Sequence, residues 1–392
     1  MKLHKNLVIA VVETLSSIFE QQQYADKVIE RQLKANPRWG ARDRAFVAEY
    51  SYEIVRWKRL LEYLIHNRPN LWDLFGAYLL WKGETLPDWE EFKGVSIDKE
   101  RLEEIQHNRA LRESIPEWLD QVGESELKEE WDTILSSLNK TAPLVIRVNT
   151  LKTTREALQI RFQEDKIETT VVGDAALELK IRRNLFLHPT FKEGLFEIQD
   201  ANSQRIAPAL QLKAGLTVID ACAGGGGKTL QMAALMENKG KIIALDTEAW
   251  KLANLKQRAR RAGAFNIEPR HIENNKIIKR LHNHADRVLL DVPCTGLGVL
   301  RRNPDAKWKL SLQSLEDVRQ RQRDILQNYS AMCKVGGLVV YATCSILPSE
   351  NQLQVAQFLA TNPRFVLQSE ENLYPHQTGF DGFYFAILKK IS

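Results

Sequence analysis

The sequence predicts an α/β protein. A doubly wound, largely parallel sheet domain at 200–392 follows an all-α domain at 1–137 and a small α+β unit at 142–199. Three observations carry this. Apolar residues recur at helical spacing through the first third of the chain. The composition turns β-rich at "NKTAPLVIRVNT". From Asp200 onward, strand-like and helix-like stretches alternate, which is the pattern of βαβ units.

The first domain reads as helices in "LVIAVVETLSSIF", "AFVAEYSYEIVRWKRLLEYLI" and "LWDLFGAYLLW". "ETLPDWEEFKGVS" is a turn region, and "IPEWLDQVGESELKEEWDTILSSL" a helical hairpin. The opening "MKLHKNLVIAVVETL" has the look of a signal peptide. Its apolar run Leu7 to Val12 is too short, meets Glu13 and has no small-residue cleavage site, so an amphipathic first helix is expected.

In the α+β unit, "PLVIRVNT" leads into the helix "TTREALQIRFQED", which opens with Thr caps and a Glu. "IETTVVG", "ALELKI" and "LFEIQD" follow as short strands. In the third domain "LTVIDA", "GKIIALD", "NIEPRHIE", "DRVLLDVP", "GGLVVYATCS" and "GFYFAILKK" read as strands. "TLQMAALMEN", "EAWKLANLKQRARRAG", "SLEDVRQRQRDILQNYSAMC" and "PSENQLQVAQFLATN" read as helices, the second ending at Gly263. Strands that are apolar throughout suit a sheet covered on both faces.

No apolar run is long enough to span a bilayer. The four cysteines, Cys222, Cys294, Cys333 and Cys344, lie in the C-terminal half and form no Cys-x-x-Cys pair. Neither a metal site nor a disulfide framework is expected, and a reducing cytoplasm fits. Net charge is +5. Basic residues cluster at Arg31–Arg59 with Trp39 and Trp57 among them, at Lys251–Arg261 and at Arg301–Lys309. Each cluster alone reads equally as a solvated face; three together point to a polyanion.

"DACAGGGGKT", Asp220 to Thr229, poses the central choice. A triphosphate-binding loop needs Gly-x-x-x-x-Gly-Lys-Thr, and its first glycine would fall on Cys222. Asp291 could then pose as the magnesium-holding acid. The alternative is a dinucleotide or adenosyl cofactor at the end of the first strand, with glycines letting the backbone approach it. That ligand carries a ribose, which calls for a carboxylate at the end of the next strand. Asp246 is in that place, and the cofactor reading is preferred.

Two cysteines follow predicted strands, in "LLDVPCTGLGVLRRNPDAKW" and "VVYATCS". That rim is where open α/β sheets bind ligands. A free cysteine is commonly a small buried hydrophobe, and Cys333, placed in a helix, keeps that reading. Beside a methyl donor, thiols have a use. Carbon 5 of cytosine is a poor nucleophile until a thiolate adds to carbon 6. An ordinary thiol is only about 3% ionised at pH 7, so the site must favour the thiolate. The cofactor's charge, Lys228 and strand-end amides could do so.

These motifs resemble the RNA cytosine-C5 methyltransferases, in particular the Sun/Fmu branch that acts on 16S ribosomal RNA. "DACAGGGGKT" is similar to the family's cofactor loop "DACAAPGGKT". "DVPCTGLGVLRRNPDAKW" and "YATCS" are similar to its two cysteine motifs, "FEIQDANSQ" to its lead-in and "DGFYFAILKK" to its closing strand. "ARDRAFVAEYSYEIVRWKRLLEYLI" resembles, more weakly, the NusB-like helical RNA-binding domain of that branch. The resemblance implies a Rossmann-like methyltransferase domain behind NusB-like and RRM-like domains. It implies S-adenosylmethionine as cofactor and RNA as partner, with neither metal nor membrane, acting as a monomer. By resemblance Cys344 is the nucleophile and Cys294 assists product release. Lys228 and Asp291 contact the flipped cytosine, and Asp291 also borders the cofactor. Asp246 binds the ribose hydroxyls. Cys222, Ala223, Gly224, Gly225, Gly226, Gly227 and Lys228 surround the methionine end. Two departures stand out. Gly224-Gly225 replace Ala-Pro, and Asn274 stands where the family has a third acid; Asn can still accept a bond from an adenine amino group.

Other functions compatible with the sequence are the same chemistry on transfer RNA, a non-catalytic RNA-binding assembly factor with a methyltransferase fold, and a nucleotide triphosphatase.

Overall fold

The computed structural model describes residues 3–65 and 69–392, so the first two residues of the signal-like opening lie outside it. The chain forms two compact units. One is Met1–Lys140 with Leu300–Leu312; the other is Thr141–Val299 with Gln313–Ser392.

The first unit is all-helical. Leu7, Val11, Leu15 and Ile18 recur at steps of four and three along helix Lys5–Phe19, so one face is apolar and buried. It packs on Ile54, Val55 and Leu61 of helix Ala41–Leu64 and Phe75 of helix Leu71–Trp81. The last helix has a capping box. Asn70 Oδ1 accepts from the amides of Trp72 and Asp73, and Asp73 Oδ2 accepts from the amide of Asn70. The expected hairpin is formed by Glu117–Leu127 and Trp131–Leu138.

One boundary differs from the sequence reading, which gave 300–312 to the sheet domain. Trp308 packs against the helical core and donates its indole N–H to Val55 O at 2.7 Å. Asp305 Oδ2 accepts from the Ala25 amide at 3.1 Å, and Arg56 Nη2 donates to Arg301 O at 3.0 Å. The third basic cluster is therefore mostly structural. Lys307 and Arg301 are buried, and burial drives the Lys307 ammonium well below its ordinary value. The charge pattern could not reveal this, because it does not show which lysines face inward.

The second unit holds two sheets. The smaller contains β1 (Leu144–Val148), β2 (Thr169–Gly173), β3 (Ala176–Leu179) and β4 (Phe196–Ile198), antiparallel in the order β2-β3-β1-β4. Helix Arg155–Glu164 joins the first two strands, capped by Thr154 Oγ1 accepting from the Ala157 amide, and buries Leu158 and Phe162.

The larger sheet contains β5 (Thr217–Asp220), β6 (Lys241–Asp246), β7 (Ile267–His271), β8 (Ala285–Asp291), β9 (Cys333–Thr343), β10 (Phe365–Leu373) and β11 (Phe383–Lys390). Its order is β10-β11-β9-β8-β5-β6-β7, with β5 to β9 parallel and β11 antiparallel to both neighbours. From β5 the chain builds outward to β6 and β7, then crosses to β8 and β9. The β5/β8 boundary is thus the switch point, where a crevice opens at the carboxyl ends. Cores lie on both faces of the sheet. Cys333 opens β9 rather than ending a helix, and it is fully buried. Among the described residues no helix is long and apolar enough to cross a membrane.

Candidate active site

The carboxyl ends of β5, β6, β8 and β9 converge on the switch point. β5 ends at Asp220 and runs into the glycine loop. The loop becomes helix Gly227–Leu235, so the helix N-terminus follows directly on the carboxyl end of β5. Gly226 sits at φ +86 and packs under Leu255, where a Cβ would come within 2.6 Å of Leu255 Cγ. Gly227 is different: its backbone is helical and nothing lies within 4 Å of an added Cβ. That open space beside a helix N-terminus is room a cofactor's backbone-hugging end could fill.

At the end of β6, Asp246 is buried, and both its oxygens are already aimed. Oδ2 accepts from the Gly224 amide and Oδ1 from the Glu248 amide, each at 2.8 Å. A carboxylate has about four acceptor positions, so two remain for a ligand's hydroxyls. Asn274 lies three residues past β7 and is exposed. Its Oδ1 accepts from the Lys276 amide at 3.0 Å, at the start of the next short helix.

Lys228, in the first turn of the glycine-loop helix, reaches across to β8 and pairs with Asp291 Oδ2 at 2.7 Å. Burial pushes its ammonium down. The charge and hydrogen bond of Asp291 and the nearby Cys344 outweigh that, and the net shift is upward. Phe383 lies under the ammonium at 5.5 Å.

The loops after β8 and β9 bring Cys294 and Cys344 together, with sulfurs 3.2 Å apart. The Cys344 amide also donates to Cys294 Sγ at 3.3 Å. The Cys294 thiol is pushed well above its ordinary range, first by its hydrogen bond to Cys344 and then by burial. Burial also raises Cys222, which packs partly against the core under the sheet.

Known proteins are similar to this sequence over most of its length. A ribosomal RNA small subunit methyltransferase B from Vibrio vulnificus is 32% identical over 79% of this chain and 77% of its own length. The chain belongs to the RsmB/F methyltransferase family. The family's model, described as 16S rRNA methyltransferase RsmB/F, matches residues 207–389, and its ferredoxin-like domain model matches 115–185. The β2-β3-β1-β4 order is that of a ferredoxin-like sheet. A probable ribosomal RNA small subunit methyltransferase B from Synechocystis is 29% identical over 96% of this chain and 97% of its own. The crystal structure of a methyltransferase homolog protein from Pyrococcus horikoshii superposes with a TM-score of 0.65, at 27% identity, over 72% of this chain and 98% of its own.

Several residues around this RsmB/F site escaped the sequence reading. Asp220 is buried, accepts from Thr229 Oγ1 at 2.7 Å, and is raised to about 7 by burial. Buried Glu197 in β4 holds Arg258 Nη2 at 2.9 Å and Arg261 Nη2 at 2.5 Å. Arg258 Nη1 donates to Gly225 O at 2.6 Å, and Arg147 Nη1 of β1 donates to Gly227 O, also at 2.6 Å. The small sheet is thus bonded to the carbonyls of the glycine loop. Two arginines of the second basic cluster are spent on this, leaving Lys256 and Arg260 exposed. All of them sit in stretches that the sequence singles out, but none of those stretches marks which side chain turns inward to the glycine loop.

Proposed function

We propose that this chain methylates carbon 5 of a cytosine in RNA, with 16S ribosomal RNA as substrate, through a covalent bond from Cys344 to carbon 6. The observation that carries the reading is the Cys294–Cys344 sulfur contact on neighbouring strand ends, at the rim shared with Lys228 and Asp291. The substrate class rests on the names of the relatives, which are small-subunit ribosomal RNA methyltransferases.

S-adenosylmethionine, when bound, supplies an electrophilic methyl group on a positively charged sulfur. The glycine loop and Asp246 would hold it, the carboxylate by its two remaining acceptor positions. Attack of Cys344 Sγ on carbon 6 places electron density on carbon 5. Lys228 and Asp291 face the same rim. Asp291 can accept from the exocyclic amine of cytosine, and Lys228 can hold negative charge that develops on the ring. After carbon 5 has gained its methyl, its proton must leave before the Cys344–carbon 6 bond breaks. Cys294 is assigned to that release. A cytosine within folded RNA must first be unstacked, at a cost of a few kcal/mol. Arg31, Arg38 and Arg42, all exposed, are suited to grip the backbone and offset it.

The test is to incubate the purified protein with 16S RNA and S-adenosylmethionine and map products by bisulfite sequencing. One protected cytosine is expected. Methyl transfer to any atom other than carbon 5 would overturn the reading.

A further inference from the structure

We propose that Glu350 is the positioning residue that sets the separation of the two cysteine sulfurs. The proposal rests on the catalytic reading above for its importance, but not for its geometry.

Glu350 has no solvent exposure and touches neither sulfur. It bonds instead to what flanks each of them. Oε1 accepts from the Thr295 amide at 2.9 Å and from Gln322 Nε2 at 3.0 Å. Oε2 accepts from Thr295 Oγ1 at 2.5 Å and from the Ser345 hydroxyl. Thr295 follows Cys294, and Ser345 follows Cys344. Gln322 also donates to Pro293 O at 3.0 Å, so the residue before Cys294 is held through the same group. Four donors fill the four acceptor positions of one carboxylate.

The backbone of Glu350 is fixed as well, because its carbonyl accepts from Tyr341 OH at 2.7 Å. The next residue, Asn351, accepts from Thr343 Oγ1 at 2.5 Å and donates to Ser345 O at 3.0 Å, so it holds both neighbours of Cys344. Gly298 donates its amide to Cys344 O at 2.9 Å, which ties the Cys294 loop to the other directly. The two strand-end loops thus share one buried acceptor, in addition to the direct Gly298–Cys344 bond.

Burying a carboxylate costs several kcal/mol unless it is fully bonded. An apolar side chain of similar volume would fill this space at lower cost. What it could not do is fix two loops at a chosen distance. A misplacement of about 1 Å between reacting groups can cost about 10²-fold in rate.

The test measures sulfur separation without RNA or cofactor. Phenylarsine oxide bridges two close thiols, forming two As–S bonds and releasing one water. The full-length protein is treated with the reagent, digested, and the Cys294–Cys344 bridge followed by mass spectrometry, alongside kcat and KM for methyl transfer. Glu350→Gln presents an amide N–H to the Thr295 amide or to the hydroxyls. We expect bridging to slow at least about tenfold and kcat to fall about 10²-fold, with KM for S-adenosylmethionine unchanged. Glu350→Asp should recover part of both. Thr295→Val, which keeps the amide and removes one donor, should slow bridging severalfold; it serves if Glu350→Gln does not fold. Bridging and kcat at parental values in these variants would overturn the proposal. If bridging slows but the parent does not methylate cytosine, the positioning role stands and the catalytic reading falls.

Discussion

Lys228 Nζ lies 2.7 Å from Asp291 Oδ2, and this pair closes the switch point between β5 and β8. The lysine side chain is 12% exposed, so little water is left to stabilise its charge beside the partner's. Lys228→Met leaves Asp291 unpaired, and Asp291→Asn leaves an ammonium without its counter-charge. Each should lower kcat/KM by about 10²- to 10³-fold, as loss of a group facing developing charge does. The double variant should lose less than the product of the two, with a coupling of about 0.5–3 kcal/mol. Steady-state kinetics of all three variants checks this; full additivity would separate the roles of the pair.

Cys344→Ala should abolish methyl transfer while leaving the fold unchanged, because a small side chain replaces a half-buried thiol. Cys294→Ala should let the first bond form but not break. With RNA and S-adenosylmethionine present, a protein–RNA adduct that survives a denaturing gel is expected. Its absence would remove Cys294 from product release.

Gly226 and Gly227 should respond oppositely to alanine. At Gly226 the left-handed backbone and Leu255 both oppose a Cβ, so Gly226→Ala should destabilise the unit by at least about 1 kcal/mol. At Gly227 the Cβ meets nothing. Gly227→Ala should leave thermal stability unchanged and weaken S-adenosylmethionine binding by about tenfold or more, as seen by calorimetry, because the added methyl occupies the backbone-hugging space at the loop.

Burial raises the Asp220 carboxyl to about 7, and the Thr229 hydroxyl only partly counters it. The folded chain therefore holds this proton more tightly than the unfolded one, whose carboxyl titrates near ~3.9. The group contributes stability that is complete below about pH 4 and is lost as pH rises through about 7. Its full size is on the order of 4 kcal/mol. Asp220→Asn carries no titrating proton. Urea midpoints measured from pH 4 to 8 should fall with pH more steeply in the parent than in this variant.

The larger sheet was readable because its parallel strands are apolar throughout and its helices carry clear stop signals, such as Gly263 at φ +70. β10 was not seen. "FVLQSEENL" is an edge strand with most side chains exposed, so neither alternation nor an apolar run marks it. At the site, the residues legible in sequence were those in motifs whose chemistry is local: the glycines, Asp246 and the two cysteines. Glu350 and Arg147 were not legible, since their bonds reach 55 and 80 positions along the chain. A lone Glu before Asn in "PSENQ" reads as the start of a helix, and one Arg inside "LVIRV" reads as an exposed strand residue. Asn274 was marked only by its place past the third strand; its side-chain oxygen accepts from the Lys276 amide and keeps a second acceptor position.

Residues Leu300–Leu312 complete the helical unit, although the ribosome delivers them about 160 residues after Lys140. At roughly 5–20 residues per second, the first helices wait about 8 to 32 s for Trp308 and Asp305. Until then Val55 O lacks its indole donor and the Ala25 amide its carboxylate. A nascent chain stopped at residue 140 is therefore a partial hydrophobic core with an open seam. Its core is completed only as the methyltransferase motifs are translated, so a chain ending at residue 140 exposes the seam that Trp308 covers.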